Sequence, residues 1–227
     1  MQLNNFYYLI FHILVLGSIL LSKLFYRFMH LPAKLMLRVL PVAALFIIND
    51  ALVTNHWWFF NDLYVLPLSK IFELPIEEIL FFITVPFGLL TFLENLPLLN
   101  WQNLSQKAWQ SKNHLWLFIL YLVSAILLLF ALSQSWWYSA SLLLLMLILL
   151  KDLLNLSKAE FLALLFTVFM TLIFNYYLTA LPIVTYNPIY KSGLMILTIP
   201  LEDFIYGMIF YLLILKSVYG KKTINFS

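Results

Sequence analysis

Long runs without a single charge alternate with short polar segments along the whole chain. In hydrocarbon, backbone N–H and C=O groups have to pair within their own segment, so uncharged runs of about 20 residues predict spanning helices. Seven are predicted, approximately Leu3–Leu21, Leu35–Val53, Ile76–Leu93, Leu115–Leu132, Trp136–Leu150, Phe161–Leu181 and Leu194–Leu215. The fourth, WLFILYLVSAILLLFAL, carries no charge, whereas the second has Arg38 near its start and the fifth is short.

Composition narrows the class. The chain is 64% hydrophobic and only 10% charged, with a mean hydropathy of +0.96, against about 25% charged for soluble domains. A water-soluble fold, a disordered chain and a nucleic-acid binder are excluded, since the few basic residues form no stripe. The absence of Cys removes disulfides, thiolate zinc sites and Cys nucleophiles, and the five glycines show no nucleotide-binding spacing. The opening MQLNN has no basic segment and no small-residue cleavage site follows, so the first helix is expected to persist.

Lys23, Arg27, Lys34, Arg38, Lys107, Lys112, Lys151, Lys158, Lys216, Lys221 and Lys222 fall in alternate loops, leaving Lys70 and Lys191 for the other face. The positive-inside rule then places the N-terminus outside and the C-terminus in the cytoplasm of a multi-pass cell-membrane protein.

LPIEEILFF at Leu74–Phe82 aligns without gaps with IPLEDFIYG at Ile199–Gly207, an offset of 125 positions. Pro75 falls on Pro200, Glu77 on Glu202, Glu78 on Asp203, and the same offset carries Asp50 onto Asn175. Both motifs open helices running the same way. The predicted fold is therefore all-α, with residues 1–114 (helices one to three) and 136–227 (helices five to seven) as parallel repeats joined by a linker helix at 115–135.

Asp50, Asp62, Glu73, Glu77, Glu78, Glu202 and Asp203 lie toward the predicted outer side, where bases are scarce. An acid within a span is costly and usually faces a cavity or the bundle interior. Pro followed by Glu also suits a helix start, because Pro fits the first turn and an acid there favours the dipole. Its recurrence in register argues for more than that. One turn on, Phe81 lies under Glu77, Phe82 under Glu78 and Tyr206 under Glu202. An acid above an aromatic ring suits carbocation chemistry, in which a carboxylic acid protonates an alkene, ring faces steady the cation and a carboxylate removes a proton. Such a donor needs shelter from water, and the sequence does not fix its depth.

NDALVTNHWWFFND with LPIEEILFFITVPF, then VTYNPIYKSG with IPLEDFIYG, resemble the tandem lycopene cyclase-domain proteins, the fused form of the heterodimer-type carotenoid cyclases. The resemblance spans nearly the whole chain. It implies a membrane enzyme that turns the linear ends of lycopene or γ-carotene into β-rings without net redox change or cofactor. Glu77, Glu78, Glu202 and Asp203 carry over as catalytic acids, with acid and base undivided between them. The aromatics after the motifs (Phe81, Phe82, Phe204, Tyr206), Trp57 and Tyr186 before them, and Asp50 and Asn175 form the implied substrate-binding set. Two departures stand out: Asn49-Asp50 replaces the family's Trp-Asp, and LPLSKIFEL lacks the glycine often found before the first motif.

The remaining features read as scaffold. His12, His30, His56 and His114 make no i, i+4 pair, so no metal site is predicted. Trp57, Trp58, Phe59, Phe60, Trp136, Trp137 and Tyr138 fall at predicted outer helix ends, where an aromatic belt is expected. A transporter or proton-conducting protein with parallel repeats is the alternative function. A retinal protein needs a mid-span Lys in the last helix, and Lys216 lies at its end.

Overall fold

The computed structural model describes residues 3–27, 29–68, 70–96 and 114–220. Of the basic loop residues, Lys107, Lys112, Lys221 and Lys222 lie outside them. Among the described residues the fold is predominantly helical: α1 (Tyr7–Phe25), α2 (Ala33–Val53), α3 (Ile76–Asn95), α4 (His114–Ser133), α5 (Trp137–Leu153), α6 (Lys158–Ala180) and α7 (Leu201–Tyr219). Four helical stretches, Asn4–Phe25, Ala33–Val53, Ile76–Asn95 and Lys158–Ala180, are long and apolar enough to cross a membrane. Of the others, α5 has only 17 residues, and α7 carries Glu202, Asp203 and Lys216 within its 19.

The seventh helix begins later than the hydrophobic run predicts. Leu194 to Pro200 is not helical; β3 (Met195–Ile196) and β4 (Ile199–Pro200) form an antiparallel hairpin instead. Pro200 lacks an N–H and biases the residue before it toward extended backbone, so the helix starts only after it. At the other end Gly220, at φ 67, returns its N–H to the Lys216 carbonyl at 3.0 Å, a positive-φ helix stop that glycine adopts without a Cβ clash. The start of α6 is set by a reciprocal pair: Ser157 N–H donates to Glu160 Oε2 at 2.6 Å, and Glu160 N–H to Ser157 Oγ at 3.2 Å.

The chain packs as two compact units. The first comprises residues 1–101 and 174–186, the second 102–173 and 187–227. In the first, α3 packs on α1 and α2 around Phe11, Val39, Ala43, Phe46, Phe82, Leu90 and Leu93, all nearly without exposure. β1 (Trp58–Phe60) pairs antiparallel with β2 (Val184–Tyr186), Trp58 facing Tyr186 and Phe60 facing Val184. The expected belt at these positions is thus a small sheet with Trp58 and Phe60 buried. Asn5 fastens the next loop, donating from Nδ2 to the carbonyls of Asp62, Leu63 and Val65 at 3.2–3.4 Å. Asp62, expected to lack a base, pairs with Lys70 at 2.7 Å and is largely exposed.

In the second unit, α5 packs on α4 and α7. Its core includes Leu142, Leu149, Ile209, Tyr211 and Ile214. Tyr211 donates to the Glu160 carbonyl, tying α7 to the start of α6.

Both motifs are entered through a tight turn. Ile71 and Leu74 exchange backbone hydrogen bonds at 3.0 and 3.1 Å, with Phe72 at φ 52 and Glu73 at φ 66 between them. The equivalent turn of the second unit has Leu197 at φ 57. In the stretch without glycine, bulkier residues therefore occupy left-handed backbone, at a cost of about 1–2 kcal/mol each. Replacing Glu73 by Asn, which enters that region more readily, should stabilise the protein by roughly 0.5–1 kcal/mol, read from denaturant unfolding in lipid or detergent. A Cβ on Gly207 would meet Thr171 Oγ1 at 3.1 Å, so Gly207→Val should cost about 1–3 kcal/mol by overpacking in the same measurement.

Candidate active site

Each motif places its acids in the first turn of a helix. Pro75 (φ −63, ψ 149) and Pro200 (φ −58, ψ 141) hold extended backbone at the N-caps of α3 and α7, and Glu77 and Glu78 or Glu202 and Asp203 follow at once. The helix N-terminus favours negative charge there. All four side chains are buried: Glu77 0%, Glu78 8%, Glu202 2% and Asp203 5% exposed. Among the described residues no Lys or Arg pairs with Glu77 or Glu202; Lys70–Asp62 and Lys216–Asp152 are ion pairs elsewhere in the fold.

In the first unit, Glu77 Oε1 accepts the Leu66 N–H at 2.7 Å, from the loop that Asn5 fastens. Glu77 Oε2 is buried with no hydrogen-bond partner. Glu78 Oε2 accepts the hydroxyl of Tyr8, a fully buried residue in the first turn of α1. Asp50, 2% exposed at the end of α2, and Glu77 are also within electrostatic reach of that hydroxyl.

Rings enclose this cluster. Tyr8 stacks on Phe60 at 6.4 Å and on His12 at 5.5 Å. Phe81 stacks on Phe11 at 5.7 Å and meets Phe82 edge-on at 5.4 Å, while Phe46 lies 6.0 Å from Phe82. Trp57 and Tyr186, both half-buried, each meet Trp58, at 6.2 and 6.4 Å. Asn175 is half-buried in the part of α6 that belongs to this same unit. His12 Nδ1 is 3.2 Å from Thr84 Oγ1, and its Nε2 is a second buried atom without a partner. Among the described residues no group of three acids or histidines is arranged to hold a metal.

The second unit repeats the arrangement with different donors. Glu202 Oε1 accepts the Ser192 N–H at 2.6 Å and the Ser139 hydroxyl at 2.5 Å. Gly193, at φ 79, turns the loop that presents Ser192. Glu202 Oε2 is buried and unpartnered, like its counterpart. Asp203 Oδ1 accepts the Tyr138 hydroxyl at 3.0 Å. Tyr138, predicted as a belt residue, is 4% exposed and points into the protein. Phe204 is buried beside the acids, and Tyr206 is half-buried one turn on.

Sequence reasoning missed Tyr8, Tyr138 and Ser139. The tyrosines sit 130 positions apart, not 125, so an ungapped self-alignment never superposes them. A gap in the loops would have paired FYY at Phe6–Tyr8 with WWY at Trp136–Tyr138. The acceptors Leu66 and Ser192 satisfy use backbone N–H groups, which leave no mark on side-chain identity.

Each cluster thus offers a carboxyl oxygen that meets no competing donor or acceptor, next to a second carboxyl tied to a phenol and close to aromatic rings. That combination can deliver a proton to an apolar π-bond and take one back. Searches of curated proteins and of solved structures gave no match. A family described as lycopene cyclase matches residues 4–96 and 134–218, two stretches that each contain one acid motif and its tyrosine. Matched over well more than half its length, the chain belongs to the lycopene cyclase family, the enzymes of carotenoid cyclisation.

Proposed function

We propose that this protein is a lycopene β-cyclase that closes linear carotenoid ends by acid–base carbocation chemistry, with lycopene or γ-carotene as substrate. A carboxylic acid adds a proton at C2, the C5=C6 bond attacks the cation at C1, and a carboxylate removes the C6 proton to restore C5=C6. One proton enters and one leaves, so no oxidant or reductant is consumed. Glu77, Glu78, Glu202 and Asp203 carry these proton transfers. Phe81, Phe82, Phe204 and Tyr206 line the path of the cation, whose charge ring faces attract. Asp50, Asn175, Trp57 and Tyr186 complete the substrate-binding set.

The observation that carries this reading is the orphaned oxygen of Glu77 and of Glu202. A buried polar atom without a partner is uncommon and costs about 1–3 kcal/mol. In a lycopene cyclase family member, an alkene is the partner that makes it useful. A further part of the proposal is that all seven helices cross the cell membrane, N-terminus outside and C-terminus cytoplasmic. Residues 1–114 and 136–227 then form parallel repeats joined by 115–135. The one-sided distribution of Lys and Arg supports this arrangement.

Expression in a lycopene-accumulating host should yield ringed carotenoids by chromatography and mass spectrometry. Glu77→Gln and Glu202→Gln, each checked for membrane insertion, should lower conversion by about 10²–10⁴-fold, the usual worth of a general acid. Undiminished cyclisation in both variants would remove these acids from the mechanism. Proton flux through reconstituted vesicles without carotenoid, in a protein that makes no rings, would favour a carrier instead.

A further inference from the structure

We propose that the two acids of each motif have separate roles, the first (Glu77, Glu202) donating the proton and the second (Glu78, Asp203) accepting it, with Tyr8 and Tyr138 as the residues that position the acceptor. The inference rests on the cyclase reading and goes beyond it by dividing four acids into two donors and two acceptors.

A backbone N–H can only donate, so the oxygen it reaches must accept. In Glu77 that oxygen is Oε1, reached by Leu66; in Glu202 it is Oε1, reached by Ser192 and Ser139. The carbonyl oxygen of a carboxylic acid is its better acceptor, so when either acid holds its proton, Oε2 is the favoured oxygen for it. Among the described residues that oxygen has no hydrogen-bond partner in either unit, so no lone pair there competes with a π-bond for the hydrogen. A donor meant for an alkene, the weakest of acceptors, needs this isolation.

The second acids are placed in the opposite way. A tyrosine hydroxyl points at Glu78 Oε2 and at Asp203 Oδ1. A phenol that donates supports an oxygen bearing charge, because hydrogen bonds to ionised acceptors are the stronger ones. Tyr8 and Tyr138 are themselves immobilised, 0% and 4% exposed, on α1 and α5. Each thus fixes the direction from which its carboxylate can approach a ring carbon. Both units contain the whole device although its pieces come from separate chain segments, and in one the first acid has an added serine donor.

Direction of approach has a chemical consequence. After ring closure the positive charge is at C5, and three neighbouring positions can release a proton. Loss from C6 gives the β-ring, loss from C4 an ε-ring, and loss from the C5 methyl a γ-ring. A carboxylate held by its tyrosine selects C6; one that is free to turn does not.

The test uses the intact chain in lycopene-containing membranes and reads the ratio of ring isomers, which does not depend on how much protein folds. Wild type, Tyr8→Phe, Tyr138→Phe and the double variant are compared, with insertion monitored separately. The expected result is that non-β rings rise relative to β-rings by about tenfold or more in the double variant, the effect of losing a hydrogen bond to a charged group. Products that remain purely β, whatever their amount, would overturn the positioning role while leaving the cyclase reading intact. Complete loss of product in inserted double variant would also overturn it, because the donors are untouched. A wild-type chain that makes no rings at all would instead remove the cyclase reading.

Discussion

Four carboxyl groups withdrawn from water, two in each unit, with no lysine or arginine among the described residues set against Glu77 or Glu202, are the constraint around which the units are organised. Charge in such surroundings is expensive unless hydrogen bonds replace those of water. The replacements include Leu66 and Ser192 N–H, the Ser139 hydroxyl and the two tyrosines, which come from fixed backbone or immobilised side chains. Helix N-termini add their dipoles, a contribution of about 0.3–1 kcal/mol each. These contacts hold the acids in place without a paired lysine or arginine at Glu77 or Glu202 among the described residues.

Much of the non-helical structure serves those donors. In the first unit, Asn5 gathers three carbonyls of the loop ending at Leu66, and the β1–β2 pair closes over the same region. In the second, the β3–β4 hairpin and the turn at Gly193 present Ser192. The turns at Phe72–Glu73 and Leu197 keep strained backbone in both units directly ahead of the motif proline. Strain of this kind persists only where surrounding structure over-determines it, and here it sets how the chain enters the helix that bears the acids.

The aromatic shell links packing to chemistry. Phe11, Phe46 and Phe82 are buried core residues of the first unit, and half-buried Phe81, one turn after Glu77 on α3, stacks on Phe11 and meets Phe82. A cation formed beside them meets ring faces already in position, at no cost of reorganisation at the moment of reaction. In the proposed reaction the same side chains supply the apolar surroundings of the carotenoid end.

The one-dimensional pattern determined a good deal. Uncharged runs located the seven helices of the described residues to within a few positions, except the late start of α7, because an apolar run that leaves water has to pair its backbone within itself. The repeated Pro-x-Glu-acid motif located the helix starts and the acids, since proline and acidic residues act locally on the first turn. What only tertiary structure decided concerns long-range partners. Tyr138 reads as a belt residue from its place at a helix end, yet its hydroxyl turns inward to Asp203. Asp62 reads as an unpaired acid but finds Lys70, and Trp58 and Phe60 leave the expected belt for a two-stranded sheet. Periodicity reports how a residue sits relative to its own helix axis, while hydrogen-bond direction depends on which distant segment arrives opposite it, and that is settled only when the chain packs.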